Sequence, residues 1–442
     1  MDAASADMSL LYRRAGFGAT PAELASAVAA GFEATLDSWL AGLGQPDPVA
    51  SAIAPPPLVA VPTSVAGLAA GSPARRQLLA QARRELPQLV SWWVARMVAA
   101  ANPLTEKLPL LLHNQFPTAV SKVQFPSLML AQNELFRSMG AGPFDVLTQA
   151  VAKDPAMLIW LDAGSDNKGH PNENFARELM ERFTMGIGTY TQADVTAAAA
   201  CFTGWRFDLA TGAFAFEPRD HDPTPHTFLG VSGVHSGEQV IDIATHTPAS
   251  ARWVVSRFWG FVAFPVVPSD PVVSELAGGY AQDLSVAGLL RSIFLHPQFR
   301  SDASRTGLVK QPVEWVAGTL RALGVPPAAV AAGDPPVYPV LAALGQVPFD
   351  PPSVGGWPQN DGWLSSASAL ARWRWADALV RHPTADLSAV ADAAPAARPD
   401  AAASMLSVAG WSPATASALA RVADDPRNLV ALALVSPEYV VN

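Results

Sequence analysis

The sequence predicts a mainly α-helical protein: one large multi-helix single body with a small β-hairpin or loop insertion near 206–243. Three observations carry this reading. Apolar residues recur at helical spacing along most of the chain, and clear start signals precede several of these runs. Only Ala213–Glu217 and Val240–Ile243 look like short strands. No repeat of fixed period interrupts the pattern. The expected division is a main helical domain over 9–382 and a helical appendage over 383–442 packed on it.

Thr20-Pro21-Ala22-Glu23 is a helix start, with Thr as N-cap, Pro in the first turn and Glu three residues after the cap. It predicts a helix from Leu24 to about Leu40. The Pro-rich stretch Pro46–Pro62 reads as a surface linker. Arg75–Ala100 reads as a long helix, and Leu89, Trp93 and Met97, four residues apart, mark its buried stripe. Further helices are expected at 104–114, 126–138, 143–153, 172–185, 191–202, 248–262, 284–295, 310–323, 337–344, 363–381 and 427–434, bounded by Pro or Gly.

Composition removes several function classes. The chain has 442 residues, is 50% hydrophobic and can bury a sizeable core. No apolar run reaches the roughly 20 residues that a membrane helix needs. The N-terminus has no basic region followed by an apolar core, so no signal peptide is visible. The chain is expected to be soluble, either cytoplasmic or exported with its leader removed. A net charge of −9 and the lack of a Lys/Arg track argue against nucleic acid as a partner. Cys201 is the only cysteine, which excludes an intrachain disulfide and a thiolate metal cluster. In AAAACFTGW it reads as a buried, inert thiol. P-loop, dinucleotide, G-x-S-x-G and H-E-x-x-H patterns are missing, so no nucleotide cofactor is expected.

The chain is only 15% charged, yet Asp154–Thr191 concentrates polar groups. Asn172 is placed to cap a helix, with Glu173 favourably near its positive end. Helical spacing puts Asn174, Glu178 and Glu181 on one face and Phe175, Leu179 and Phe183 on another. Arg177 can reach Glu173 or Glu181 and would lower the pKa of the carboxylate it joins. Two neighbouring carboxylates suit acid–base work, or a hard cation. The competing reading is a capping and ion-pair network that locks the loop before the helix. The Asp162–His170 loop fails the EF-hand pattern, because its sixth position is Asn167 rather than Gly.

Three further clusters stand out. His113 and Asn114 end an apolar run, with Lys122, Asn133 and Glu134 following; a helix-end histidine is more often structural than catalytic. Asp220-His221-Asp222 could ligate a metal, but on a strand the histidine would face away from both aspartates. A solvated loop is the competing reading. Trp357 lies in a rigid Pro/Gly loop, Phe349–Pro358, where an indole stacks on a sugar or plugs a core.

At these residues the chain resembles the bacterial domain-of-unknown-function 1800 family. The resemblance rests on LLYRRAGFGATPAEL, EKLPLLLHNQF, LMLAQNELFR, DPAMLIWLD, NKGHPNENFARELMERFTMGIGTYT, FTGWRF, HDPTPHTFLG, LVKQPVEWVAGTLRALG and FDPPSVGGWP, in order over about residues 9–380. It implies a bacterial protein, with relatives often exported and encoded beside a sulfatase-like family. That context points to envelope or glycan material. Gln115 stands where the family usually has a second His, and His226 where it usually has Lys, which weighs against a His-x-His metal pair.

Three functions are therefore expected to compete. The first is a carboxylate-based hydrolase or lyase on a carbohydrate or other polar envelope or extracellular substrate. Glu178, Glu181 and Asp162 would be its catalytic groups. His113, Asn114, Lys122, Asn133, Glu134, Lys168, Asn172, Asn174, Arg177, Trp205, His221 and Trp357 would bind substrate. The second is a divalent-metal enzyme drawing on His113, Asp162, Glu178, Glu181 and His221. The third is a non-catalytic binding or scaffold protein whose polar clusters knit helices together.

Overall fold

The computed structural model describes residues 1–59, 68–164, 166–208 and 211–441. The last residues of the Pro46–Pro62 linker lie outside the described residues. The body is helical, with two small antiparallel hairpins near its middle. β1 (Trp205–Asp208) pairs with β2 (Ala213–Phe216), and β3 (His226–Phe228) pairs with β4 (Val231–Val234).

Two apolar cores organise the helices. One gathers the N-terminal helices, Leu104–Gln115, Glu173–Phe202 and the helices over 237–295. The other surrounds the Pro73–Ala99 helix, whose Leu89, Trp93 and Met97 are fully buried as the four-residue stripe requires. Helices after residue 398 share this second core, and Trp315 Nε1 donates to the Leu434 carbonyl at 2.9 Å. Glu106, wholly buried, links the cores. It accepts from Arg96, Arg137 and Trp93, so three helices meet on one carboxylate.

Several elements differ from the sequence expectation, including helices at Pro155–Trp160, Pro271–Tyr280, Arg398–Met405 and Pro413–Arg421 that it does not place individually, and two differences are instructive. The run from Leu24 to Leu40 is two helices, Pro21–Ala30 and Phe32–Ala41, broken at Gly31 with φ 92°. The capping box at Thr20 and Glu23 forms as expected. Val240–Ile243 is not a strand but part of the helix Gly237–Thr245. Ser236 caps that helix, and Val240, Ile241 and Ala244 form one buried helical face. Three β-branched residues in a four-residue window mimic a strand when the cap is overlooked.

Candidate active site

Asn172 begins the turn as a working cap. Its side-chain oxygen accepts from Phe175 N at 3.2 Å, and its amide donates to the Leu161 carbonyl at 2.9 Å. Its backbone N–H donates to Asp166 Oδ1 at 2.9 Å. Burial pushes the Asp166 carboxyl up to about 6, and its Oδ2 has no hydrogen-bond partner. One asparagine thus fixes both the loop and the helix start.

The helix Glu173–Glu178 then changes register. Leu179–Thr184 is π-helical, so each turn holds an extra residue. Phe175, Leu179 and Phe183 stay buried, and Thr184 Oγ1 donates to the Leu179 carbonyl at 2.7 Å. The polar face of an uninterrupted α-helix is therefore redistributed. Arg177 turns to Gln192 Oε1 at 2.8 Å and lies 3.8 Å from Glu173, not on Glu181. Arg182 takes that place, 3.1 Å from Glu181 Oε1, while Tyr190 donates to Glu181 Oε2 at 3.0 Å. Asn174 is exposed.

Glu178 and Glu181 are thereby made unequal. Both Glu181 oxygens face a donor. The Glu178 side chain is only 15% exposed, its Oε2 is buried without a hydrogen bond, and Arg182 Nε stays 3.8 Å away. Burial raises the Glu178 carboxyl above its ordinary range; Arg182 opposes the rise and the nearby Glu181 charge reinforces it. Arginine does act to lower the Glu178 carboxyl, as Arg182 and Arg177 both lie near it, but burial outweighs them.

Two neighbours escaped the sequence reading. Trp253 donates to the Arg182 carbonyl at 3.1 Å and its ring covers Gly186, where a Cβ would meet it at 2.7 Å. Arg257 donates to Gln115 Oε1 and the Asn114 carbonyl, and burial next to Arg182 lowers its guanidinium to about 10. Both residues sit in an apolar helical pattern that looks like plain core. Tyr190, in the GTYT turn, carries no signal of its own.

The other candidates fall elsewhere. His113 is 2% exposed among Trp93, Phe136, Phe349 and Trp357. Its Nε2 accepts from Phe349 N at 3.1 Å, and burial lowers its pKa to about 3. Asn114 Oδ1 accepts from Trp357 N at 2.8 Å, beside Gly356 with φ 79°. Trp357 and Trp205 are 4% and 2% exposed, so both are core residues, not stacking platforms. The burial follows from their neighbours: Trp205 packs on Phe175, Phe202 and Phe214.

Lys122 pairs with Asp162 at 2.7 Å and donates to the Trp160 carbonyl, with Asp162 largely exposed at φ 57°. Lys168 is exposed, and its backbone N–H donates to Asp220. Asn133 Oδ1 accepts from Arg137, which also pairs with the exposed Glu134. The Asp220–Asp222 stretch is a partly exposed turn rather than a strand. His221 Nδ1 and Nε2 lie 2.8 and 3.0 Å from the carbonyls of Thr203 and His235.

These positions break the expected metal set. His113 Nε2 spends its lone pair on Phe349 N–H, a His221 nitrogen that donates to a carbonyl offers none, and Asp162 is held by Lys122. Among the described residues, the one three-ligand group is Asp145, Asp242 and His246. Asp242 and His246 are exposed and lie 3.4 Å apart as an ion pair on one helix. Cys201 is buried, and burial pushes its thiol up to about 12, which makes it inert.

A helical body with a capped, π-turned glutamate segment defines the class. The chain belongs to the family described as protein of unknown function (DUF1800), whose family model matches residues 10–441. No curated protein and no solved structure matches it. Among the described residues no helix is long and apolar enough to cross a membrane.

Proposed function

We propose that this protein is a carboxylate-based hydrolase or lyase acting on a carbohydrate or another polar substrate. Glu178 is its general acid and Glu181 its partner base. The observation that carries the reading is the inequality of the pair: a half-buried Glu178 with a raised pKa beside a Glu181 bonded on both oxygens. Carboxylates whose environments push them apart can hold and accept a proton at the same pH. The π-turn supports the assignment, since such turns cost helix regularity and are frequent at functional sites. Asn174, Lys168 and Arg177 are the polar side chains left to orient substrate. Asp162, paired with Lys122, has no part in the assignment.

Two measurements test the proposal. Carboxyl-carbon NMR titration should give Glu178 a midpoint above that of an exposed glutamate. Reducing-sugar release from a panel of polysaccharides, with p-nitrophenyl glycosides alongside, should identify turnover that Glu178→Gln lowers by roughly 100-fold or more. An ordinary midpoint at Glu178, or full turnover by the variant, defeats the assignment. A non-catalytic binding or scaffold role is the second reading, favoured by His113, Asn114, Asn172 and His221, whose polar atoms tie segments together. It forecasts that Glu178→Gln changes only melting temperature.

A further inference from the structure

A cleft of 460 Å³ lies away from the glutamates, where the N-terminal helix Ala3–Arg14 meets the end of the chain. Its walls are mostly small and apolar: Ala6, Val408, Ala409, Pro437 and Val441. Arg13 sits among them. Its NH1 donates to Ser9 Oγ and the Ser407 carbonyl, both at 3.2 Å, and its Nε is buried with no hydrogen-bond partner. No carboxylate lies within ion-pair distance of this guanidinium among the described residues.

The other charged groups of the cleft are committed. Arg305 pairs with Asp7. Glu438 accepts from Ser412 N at 2.9 Å and Thr415 Oγ1 at 3.0 Å. Behind the cleft, Glu314 is taken by Lys107 and by Gln311 N, whereas the buried Lys310 ammonium rests 3.4 Å from the centre of the Tyr439 ring. Among the described residues Arg13 therefore has no carboxylate in ion-pair distance, and the one opposing charge that acts on Lys310 is Glu314, which Lys107 already pairs. Burial and the neighbouring cation Arg305 lower the Arg13 guanidinium to about 10; burial and Arg13 lower Lys310 well below its ordinary value. Desolvated cations of this kind are costly until an anion joins them.

We propose that this cleft binds a small organic monocarboxylate with an aliphatic chain, its carboxylate on the Arg13 guanidinium. The planar fork of arginine matches a carboxylate. Arg13 is the cleft guanidinium with no carboxylate in ion-pair distance among the described residues, so it can take one, and the cleft's own carboxylate, Glu438, together with the apolar walls favours a hydrocarbon chain over a second anionic group. A second cleft, of 620 Å³, shares Val408, Ala409 and Gly410 as a common wall and continues past Leu24, Val28 and Trp411. Longer chains have apolar surface to follow there.

Isothermal titration calorimetry of the full chain at low ionic strength tests this with octanoate, acetate and inorganic phosphate. Octanoate should bind with one-to-one stoichiometry, acetate roughly tenfold more weakly or worse, and phosphate more weakly than octanoate. Arg13→Gln should lose roughly tenfold or more in octanoate affinity, as expected for a charge-assisted hydrogen bond. Arg13 also joins its helix to Ser407, so a second variant is needed. Ala409→Trp, at an exposed wall position, should block octanoate while leaving Arg13 and the circular dichroism spectrum intact. Absence of saturable octanoate binding overturns the proposal. Binding unchanged in both variants also overturns it, because octanoate then sits on some other apolar surface. Phosphate binding as tight as octanoate overturns the assignment to a monocarboxylate.

Discussion

The His113 region and the Glu178 region both place polar residues on an expected helix, and fold to opposite ends. Around His113 the helix end meets the Phe349–Trp357 loop through Phe349 N to His113 Nε2 and Trp357 N to Asn114 Oδ1, and aromatic rings close the space. Around Glu178 the helix widens into a π-turn, the side chain stays 15% exposed, and one carboxylate oxygen is left without a donor. A matched polar group under aromatic cover contributes stability. An unmatched carboxylate at the edge of solvent costs stability and supplies reactivity. The difference lies at the ionisable group: the His113 nitrogen is matched and Glu178 Oε2 is not, although Trp357 Nε1 beside His113 is also buried without a partner.

That contrast can be broken by substitution. The largest effect is expected from Trp357→Ala, which empties a buried indole site against His113 and should cost about 3–5 kcal/mol in chemical denaturation. A cost below about 1 kcal/mol would mean that the Trp357 loop is not part of the core. His113→Gln comes next and is sharpest as a function of pH. His113 stays neutral in the fold down to about pH 3, whereas the unfolded chain takes up a proton below its ordinary value near 6.5. Stability is therefore lost as pH falls from about 6.5 toward 3, and the glutamine variant should show a flatter acid limb. An unchanged limb would place the acid sensitivity elsewhere.

Glu181→Gln should cost roughly 1 kcal/mol, because Tyr190 and Arg182 lose their charged acceptor. Glu178→Gln should be neutral or slightly stabilising above the ordinary carboxylate range. The raised Glu178 pKa means the folded state binds its proton more tightly than the unfolded state, so its ionisation subtracts stability as pH rises. Thermal melts at pH 5 and pH 8 decide this, and a larger loss at pH 8 than at pH 5 contradicts it. Asn174→Ala is the smallest change, within about 0.5 kcal/mol, since the side chain is exposed.

Much of the fold was legible because local rules agreed with the tertiary outcome. The Thr20 capping box, the Leu89–Trp93–Met97 stripe and the Asn172 cap are each set by a few adjacent residues. Gly31 was misjudged because a glycine inside an apolar pattern looks tolerable until its positive φ is known. The site was only half legible. The pairing of Glu178 with Glu181 follows from spacing, but the π-turn does not, because it depends on packing against Trp253 and on the Gln115 and Arg257 contacts from distant segments. The stacking reading of Trp205 and Trp357 is opposed by their burial, and the core-plug alternative for Trp357 fits it. Only the fold supplies the aromatic neighbours that bury them.

Gly356 has a reach beyond its own loop. A Cβ at that position would overlap Asn114 Oδ1, the atom that holds Trp357 N. Shrinking position 114 would not lift the restriction, because the Asn114 carbonyl lies 3.1 Å from the same Cβ and φ 79° strains any L side chain there. Glycine at 356 is therefore a condition for the loop to lie over His113, set by backbone as well as by side chain.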